Sequence, residues 1–270
     1  MNKSLKIKSH LVSLKIGSYI IINQYLNKQN IIMLHTGRCG STVLGDTIHQ
    51  NPKVSWEGEP FEPFMNPKNK LNDFYDVFRN SRKRKIAPIS LFAIKHLNQL
   101  HLNDCCLGMS KKELIESLKQ LKNTRFILLE RKNYLKRALS AEVARNKKQW
   151  HAKKTDTYIK EKVNIKTNKF QTGHDFHSLI ELFDSMSESY SEIKHQLQNE
   201  NFLELTYEDD ILENPINAYK KVCKFLDIPQ QNVGVKLKKT NPYPLKDLIK
   251  NYDEVHEYLK PTKYGWMLDD

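Results

Sequence analysis

The sequence predicts an α/β fold, a three-layer sandwich in which helices flank a central, mostly parallel sheet. Five short apolar runs have the composition of strands, at residues 31–35, 54–57, 89–95, 125–130 and 202–206. Stretches with helical periodicity alternate with them, at residues 41–50, 70–79, 111–122, 134–148, 176–197 and 215–225, and a last helix is predicted over 245–259. Short strands that alternate with helices favour βαβ units, which build parallel sheets.

Length and composition indicate a single domain over residues 1–270, because a chain that is 39% hydrophobic and 28% charged can bury a sizeable core. We expect the core to span about residues 30–268, with the polar, lysine-rich stretch 146–173 as a lid or insert. The apolar run at residues 11–26 is too short and too polar to predict a transmembrane helix, and it lacks the small-residue cleavage site that would predict a signal peptide. We therefore expect a cytoplasmic protein, with this run packed on the core or, alternatively, in peripheral contact with a membrane.

The net charge narrows the class of binding partner, and the cysteines and histidines bear on disulfides and metal sites. A net charge of +13 indicates an anionic partner, which could be a nucleic acid, an anionic glycan, a membrane surface or a phosphorylated nucleotide. The four cysteines form no C-x-x-C pair, and the histidines show no metal-ligand spacing. The sequence therefore predicts neither a disulfide framework nor a metal site, and it favours a reducing compartment.

A glycine-bracketed turn follows the first predicted strand and leads into a predicted helix. Backbone N–H groups of such a turn, together with the N-terminus of the next helix, form an anion site, and glycine supplies the positive φ that the turn needs. The residues predicted to bind a phosphate group here are Gly37, Arg38, Cys39, Gly40, Ser41 and Thr42. We assign Cys39 the role of a backbone N–H donor. The fold is thus P-loop-like, although two residues between the glycines and no following Lys exclude a Walker A loop.

A second basic constellation follows the fourth predicted strand. Arg131 comes at the end of that strand, and Ser140 lies about two helical turns further on. A guanidinium fork matches phosphate geometry, and a hydroxyl completes the binding shell. With the Arg-x-Gly-Ser-Thr turn before them, these residues resemble the sulfotransferases, in particular their bacterial carbohydrate-type branch. The resemblance covers roughly residues 30–268 and includes the Tyr-Glu-Asp run at 207–209.

The resemblance implies a donor, 3′-phosphoadenosine-5′-phosphosulfate (PAPS), and a place for each of its charged ends. The turn at residues 37–42 would hold the 5′-phosphosulfate, whereas Arg131 and Ser140 would hold the 3′-phosphate. Arg38 would neutralise the charge that grows on the bridging and leaving oxygens.

An acidic loop at residues 57–62 lies between the two anion-binding segments. Transfer to a hydroxyl benefits from a base that removes its proton, and a carboxylate held in a desolvated pocket suits this role. The Gly-Glu-Pro triplet resembles the segment that carries a Glu base in carbohydrate and protein-tyrosine sulfotransferases, which makes Glu59 the candidate base. Glu62 and His96 are the alternatives.

The combined motifs predict an enzyme that moves a sulfuryl group from PAPS to an acceptor hydroxyl. The acceptor class implied by the resemblance is a carbohydrate or glycoconjugate, and no motif requires a metal. Two functions of other classes remain open at this point. One is a basic protein that binds polyanions or nucleic acid, and the other is a P-loop-like kinase of a small molecule. A sulfotransferase fold that only binds its ligand is a further alternative.

Overall fold

The structure, a computed structural model, describes residues 29–65, 73–82, 87–95, 109–150, 152–153, 155–156, 160–172, 175–239 and 241–269. The apolar run at 11–26 and the alternative base His96 lie outside these ranges, as does the start of the helix predicted over 70–79. No helix within the described ranges is both long enough and apolar enough to cross a membrane.

A parallel sheet of five strands forms the centre of the molecule. In chain order the strands are β1 (Gln29–His35), β2 (Val54–Gly58), β3 (Ile89–Lys95), β4 (Thr124–Glu130) and β5 (Phe202–Thr206). Their spatial order is β2-β3-β1-β4-β5. Because β1 lies at the centre of this order, the turn that follows it is flanked by the ends of β3 and β4.

Helices cover both faces of the sheet, which confirms the predicted α/β sandwich. They are α1 (Ser41–His49), α2 (Asp76–Arg82), α3 (Lys111–Lys119), α4 (Tyr134–Lys147), α5 (Leu179–Leu197), α6 (Pro215–Leu226), α7 (Leu245–Leu248) and α8 (Tyr252–Leu259). The central strands read as nearly continuous apolar runs because both of their faces are buried.

The two faces of the sheet belong to separate apolar clusters. Ile31 and Met33 of β1 point towards α1 and α6, whereas Ile32 and Leu34 point towards a larger cluster that includes α3, α4 and α5. This division follows from the alternation of side chains along a strand. The layer formed by α1 and α6 is the one next to the glycine-bracketed turn.

Two helix predictions are wrong, and tertiary contacts explain both. Of residues 176–178, predicted as the start of a helix, 176 and 177 belong to the strand Asp175–His177, which pairs with Phe170–Thr172, and the Ser178 capping box starts α5 only at Leu179. The helix predicted over 245–259 is broken between α7 and α8. At the break, Ile249 pairs with Val163, and the Asn251 side chain bonds both backbone groups of Ile165.

The stretch predicted as a lid or insert contributes to the core as well as to the surface. Val163, Ile165 and Phe170 are buried in the larger cluster. Nearer α4, Ala152–Lys153 pairs with Leu237–Lys238 in a short antiparallel ribbon. A lid function for residues 146–173 stays a prediction.

Candidate functional site

The turn after β1 adopts a left-handed backbone at three positions. The φ angles are 77° at Gly37, 58° at Arg38 and 87° at Gly40. Gly40 is also the N-cap of α1 and supplies no side-chain hydrogen bond to the helix. A Cβ on Gly40 would lie 3.0 Å from Ile211 and 3.1 Å from Tyr207, so the turn packs closely on the segment after β5. A positive φ therefore favours glycine at both predicted positions, and close approach favours it at Gly40 as well.

Cys39 lies beneath the turn rather than on its open side. Its side chain is fully buried, and burial raises the pKa of the thiol. A buried thiol with a raised pKa is a poor nucleophile. The role of backbone N–H donor assigned to Cys39 stays a prediction.

Arg131 lies at the end of β4, next to the turn. Its guanidinium donates to the carbonyl of Arg38 at 3.2 Å and stacks on the ring of Tyr207, with 4.5 Å to the ring centroid. The buried Nε has no hydrogen-bond partner among the described residues. Burial lowers the pKa of Arg131, since the charged form loses its hydration. A buried cationic donor with an unused N–H is suited to an anionic ligand.

The carboxylate of Glu208 fixes the backbone that carries Arg131. It accepts hydrogen bonds from the N–H groups of Lys132 and Asn133, at 3.0 and 3.1 Å. The Asn133 side chain in turn caps α4 by accepting from the N–H of Lys136. The Tyr-Glu-Asp run therefore acts on the site through two side chains, because Tyr207 stacks on Arg131 while Glu208 holds the next two residues.

Arg38 and Ser140 lie in direct contact. The Arg38 Nε donates to the Ser140 Oγ at 3.0 Å, and a terminal nitrogen of Arg38 donates to the carbonyl of Trp150 at 2.6 Å. Burial, together with the charges of Arg131 and Arg137, lowers the pKa of Arg38 to about 10. The structure thus places the Arg38 guanidinium beside the residues predicted to hold the 3′-phosphate.

These side chains line one cleft of about 290 Å³. Six of the residues predicted for the site contribute to its wall: Arg38, Gly40, Ser41, Thr42, Arg131 and Ser140. Of the remaining predicted residues, Gly37, Cys39 and Glu59 are not in that wall. The two predicted anion-binding segments therefore share one cleft, and the rest of its wall comes mainly from residues 207–215 and 235–239.

Glu59 lies on the other side of the turn, after β2. Its carboxylate forms an ion pair with the Nζ of Lys95 and lies 4.0 Å from the Nε2 of His35. The Lys95 side chain crosses the turn, with its Cε 3.4 Å from where a Cβ on Gly37 would lie. Glu62, the alternative base, is exposed in a short 3-10 helix.

Comparison with known proteins identifies the fold. A bacterial sulfotransferase from Alicyclobacillus acidocaldarius superposes with a TM-score of 0.51 over 90% of this chain and 94% of that protein, at 11% sequence identity. The chain has the sulfotransferase fold. No sequence-family model and no curated protein matches the sequence.

The sequence pattern did not mark Lys95 and Arg137, two charged residues at the turn, as site residues, nor Glu213, Lys238 and Lys239 in the cleft wall. Lys95 ends β3, and it lies next to the turn only because β3 is the neighbour of β1. Arg137 projects from α4 to the back of the turn, where it donates to the carbonyls of Thr36 and Gly37. The sequence signal for Arg137 was its place between Arg131 and Ser140 in a basic run.

Proposed function

We propose that this protein is a sulfotransferase that uses PAPS as donor and a carbohydrate hydroxyl as acceptor. The observation that carries the proposal is Arg131, whose buried Nε has no described partner, in one cleft with Ser140 and the turn. The fold of the bacterial sulfotransferase supports the reaction class. The carbohydrate acceptor is proposed from the resemblance of the sequence motifs.

The cleft suits a ligand with two separate anionic groups. One end offers the N–H groups of the left-handed turn and the N-terminus of α1, which favour a phosphate or sulfate ester. The other end offers Arg131, which donates to the carbonyl of Arg38, and Ser140, which accepts from the Arg38 Nε. We assign the first end to the 5′-phosphosulfate and the second to the 3′-phosphate. The donor would supply the sulfuryl group: the bond from its sulfur to the 5′-phosphate oxygen would break as the bond to the acceptor oxygen forms, and 3′,5′-adenosine bisphosphate would leave.

Glu59 is the proposed base for the acceptor hydroxyl. Its carboxylate lies beside the turn, and its ion pair with Lys95 keeps it at the end of β3. The acceptor proton would pass to this carboxylate. Arg38 would stabilise negative charge on the oxygens of the donor, because its guanidinium reaches the cleft with hydrogen bonds that fix its direction.

The proposal is tested by calorimetric binding of 3′,5′-adenosine bisphosphate, ADP and ATP at two salt concentrations. We expect the bisphosphate to bind most tightly and to keep its preference at the higher salt concentration. Arg131→Ala should remove that preference, with a loss of about 2–3 kcal/mol for the bisphosphate. The matched control is Arg125→Ala, because Arg125 also donates to a backbone carbonyl but does so at the opposite end of β4.

Other outcomes would favour the other classes of function. Preferential binding of ATP would favour the kinase. Salt-sensitive binding of all three nucleotides with similar affinity, or binding of none, would favour a polyanion-binding protein. An Arg131→Ala variant that keeps the preference for the bisphosphate would contradict the assignment of the 3′-phosphate.

A further inference from the structure

Arg137 is a buried cation on the side of the turn away from the cleft. It projects from α4, is 7% exposed, and does not line the cleft. A terminal nitrogen of its guanidinium donates to the carbonyl of Thr36 at 2.6 Å, and its Nε approaches the carbonyl of Gly37 at 3.4 Å. One side chain thus holds two successive carbonyls at the start of the turn.

These contacts determine which way the backbone N–H groups of the turn can point. In a trans peptide the C=O and the following N–H point in opposite directions, and every described peptide bond is trans. With the carbonyl of Gly37 directed at Arg137, the N–H of Arg38 points away from Arg137. The preceding N–H, that of Gly37, is held by the Nδ1 of His35 at 3.0 Å. The backbone at the start of the turn is therefore fixed from behind.

A second side chain supports the same region without carrying a charge. The hydroxyl of Tyr190 lies 3.2 Å from the Thr36 Oγ1 and donates to the carbonyl of Leu129 at 2.9 Å. Tyr190 is buried, so this contact locks the side chain of Thr36 while Arg137 holds its carbonyl. The two contacts are independent, and only the one from Arg137 reaches Gly37.

The charge of Arg137 is balanced by these carbonyls, because within the described residues no carboxylate forms an ion pair with it. Burial lowers its pKa, and the charge of Arg131 lowers it further. A buried charge without a counter-charge is costly to a fold, and a bound anion nearby reduces that cost. Arg137 therefore adds positive potential beneath the turn as well as holding its shape.

We propose that Arg137 is the positioning residue for the 5′ end of the donor site. It holds the carbonyls of Thr36 and Gly37 so that the N–H of Arg38 faces the 5′-phosphosulfate, while Arg131 and Ser140 bind the 3′ end. This inference rests on the proposed function. It adds that the two ends of the donor site depend on different arginines, the 5′ end on Arg137 and the 3′ end on Arg131.

The test compares three ligands by calorimetry: 3′,5′-adenosine bisphosphate, 5′-AMP and 3′-AMP. Arg137→Gln should lower the affinity for the bisphosphate and for 5′-AMP about tenfold, which corresponds to about 1.4 kcal/mol. It should change the affinity for 3′-AMP less than about twofold. Arg137→Lys keeps the charge but loses the forked N–H donors of the guanidinium. Its losses of affinity should therefore be smaller and affect the same two ligands. It also serves as the test if the Gln variant does not fold. The matched control is Arg125→Gln, which should leave all three affinities unchanged.

The outcomes separate this inference from the function on which it rests. If the unmodified protein binds none of the three ligands, the proposed function fails. If it binds them but both Arg137 variants lose affinity equally for 3′-AMP and 5′-AMP, or lose none, the assignment of the two ends to different arginines is wrong. A loss confined to the two ligands that carry a 5′-phosphate supports the inference.

Discussion

Replacing Gly40 by alanine should destabilise the protein through two separable effects. The φ of 87° is costly for a residue with a Cβ, by about 1–2 kcal/mol. The added Cβ would also meet Ile211 at 3.0 Å and Tyr207 at 3.1 Å. Overpacking of this kind costs about 1–3 kcal/mol. We therefore expect Gly40→Ala to lower the free energy of unfolding by about 2–5 kcal/mol.

Two other glycines provide matched controls for the two effects. Gly58 has a φ of 71° but open space where a Cβ would lie, so Gly58→Ala should cost only the backbone strain, about 1–2 kcal/mol. Gly234 has open space and no left-handed backbone, so Gly234→Ala should leave stability unchanged or raise it by up to about 1 kcal/mol. The difference between the Gly40 and Gly58 variants measures the contact with Tyr207 and Ile211.

Equilibrium urea unfolding, followed by circular dichroism, gives the three free energies of unfolding. Binding of 3′,5′-adenosine bisphosphate to the folded Gly40→Ala protein provides a second readout, and we expect it to be lost. A Gly40→Ala variant as stable as Gly234→Ala would refute the argument from φ. If Gly40→Ala and Gly58→Ala lower the free energy of unfolding by the same amount, the argument from close packing would be refuted.

Three further predictions concern the base, the cation of the turn and the pH dependence of stability. Glu59→Gln should leave bisphosphate binding intact and lower kcat about 10²–10⁴-fold in a sulfuryl-transfer assay; unchanged turnover would exclude Glu59 as the base. Arg38→Ala should lower kcat more than it raises the KM for the acceptor, and a rise in that KM alone would contradict its role. Hydrogen bonds from Lys263 and then Tyr264 hold the pKa of Asp184 below its ordinary value of 3.8. The ionised Asp184 therefore stabilises the folded protein at pH values above 3.8, and this stabilisation is lost as the pH falls through the pKa of Asp184 in the folded state. Asp184→Asn should be less stable than the unmodified protein near neutral pH in urea unfolding, and the two should converge in acid; a pH-independent difference would contradict this.

The sequence by itself determined the elements of the sheet and the character of the turn. The five predicted strands all occur, because each is a short apolar run between polar segments and both faces of the sheet are buried. The left-handed backbone at Gly37 and Gly40 was also predictable, since glycine is the residue that adopts a positive φ most readily and both glycines lie in a short turn between a strand and a helix. These features depend on neighbours in the chain, so local sequence patterns carry them.

The tertiary structure alone decided which distant residues meet at that turn. The order β2-β3-β1-β4-β5 brings Lys95 and Arg131 to opposite sides of the end of β1, and no local pattern specifies that order. Arg137 is one of several arginines in a basic run, and only the packing of α4 behind the turn distinguishes it. The break between α7 and α8 likewise arises from residues 163–165, because Val163 pairs with the backbone of Ile249 and Ile165 hydrogen-bonds the Asn251 side chain. Each of these contacts joins segments far apart in the chain, so the free energy that selects them comes from packing and hydrogen bonds formed only in the folded state.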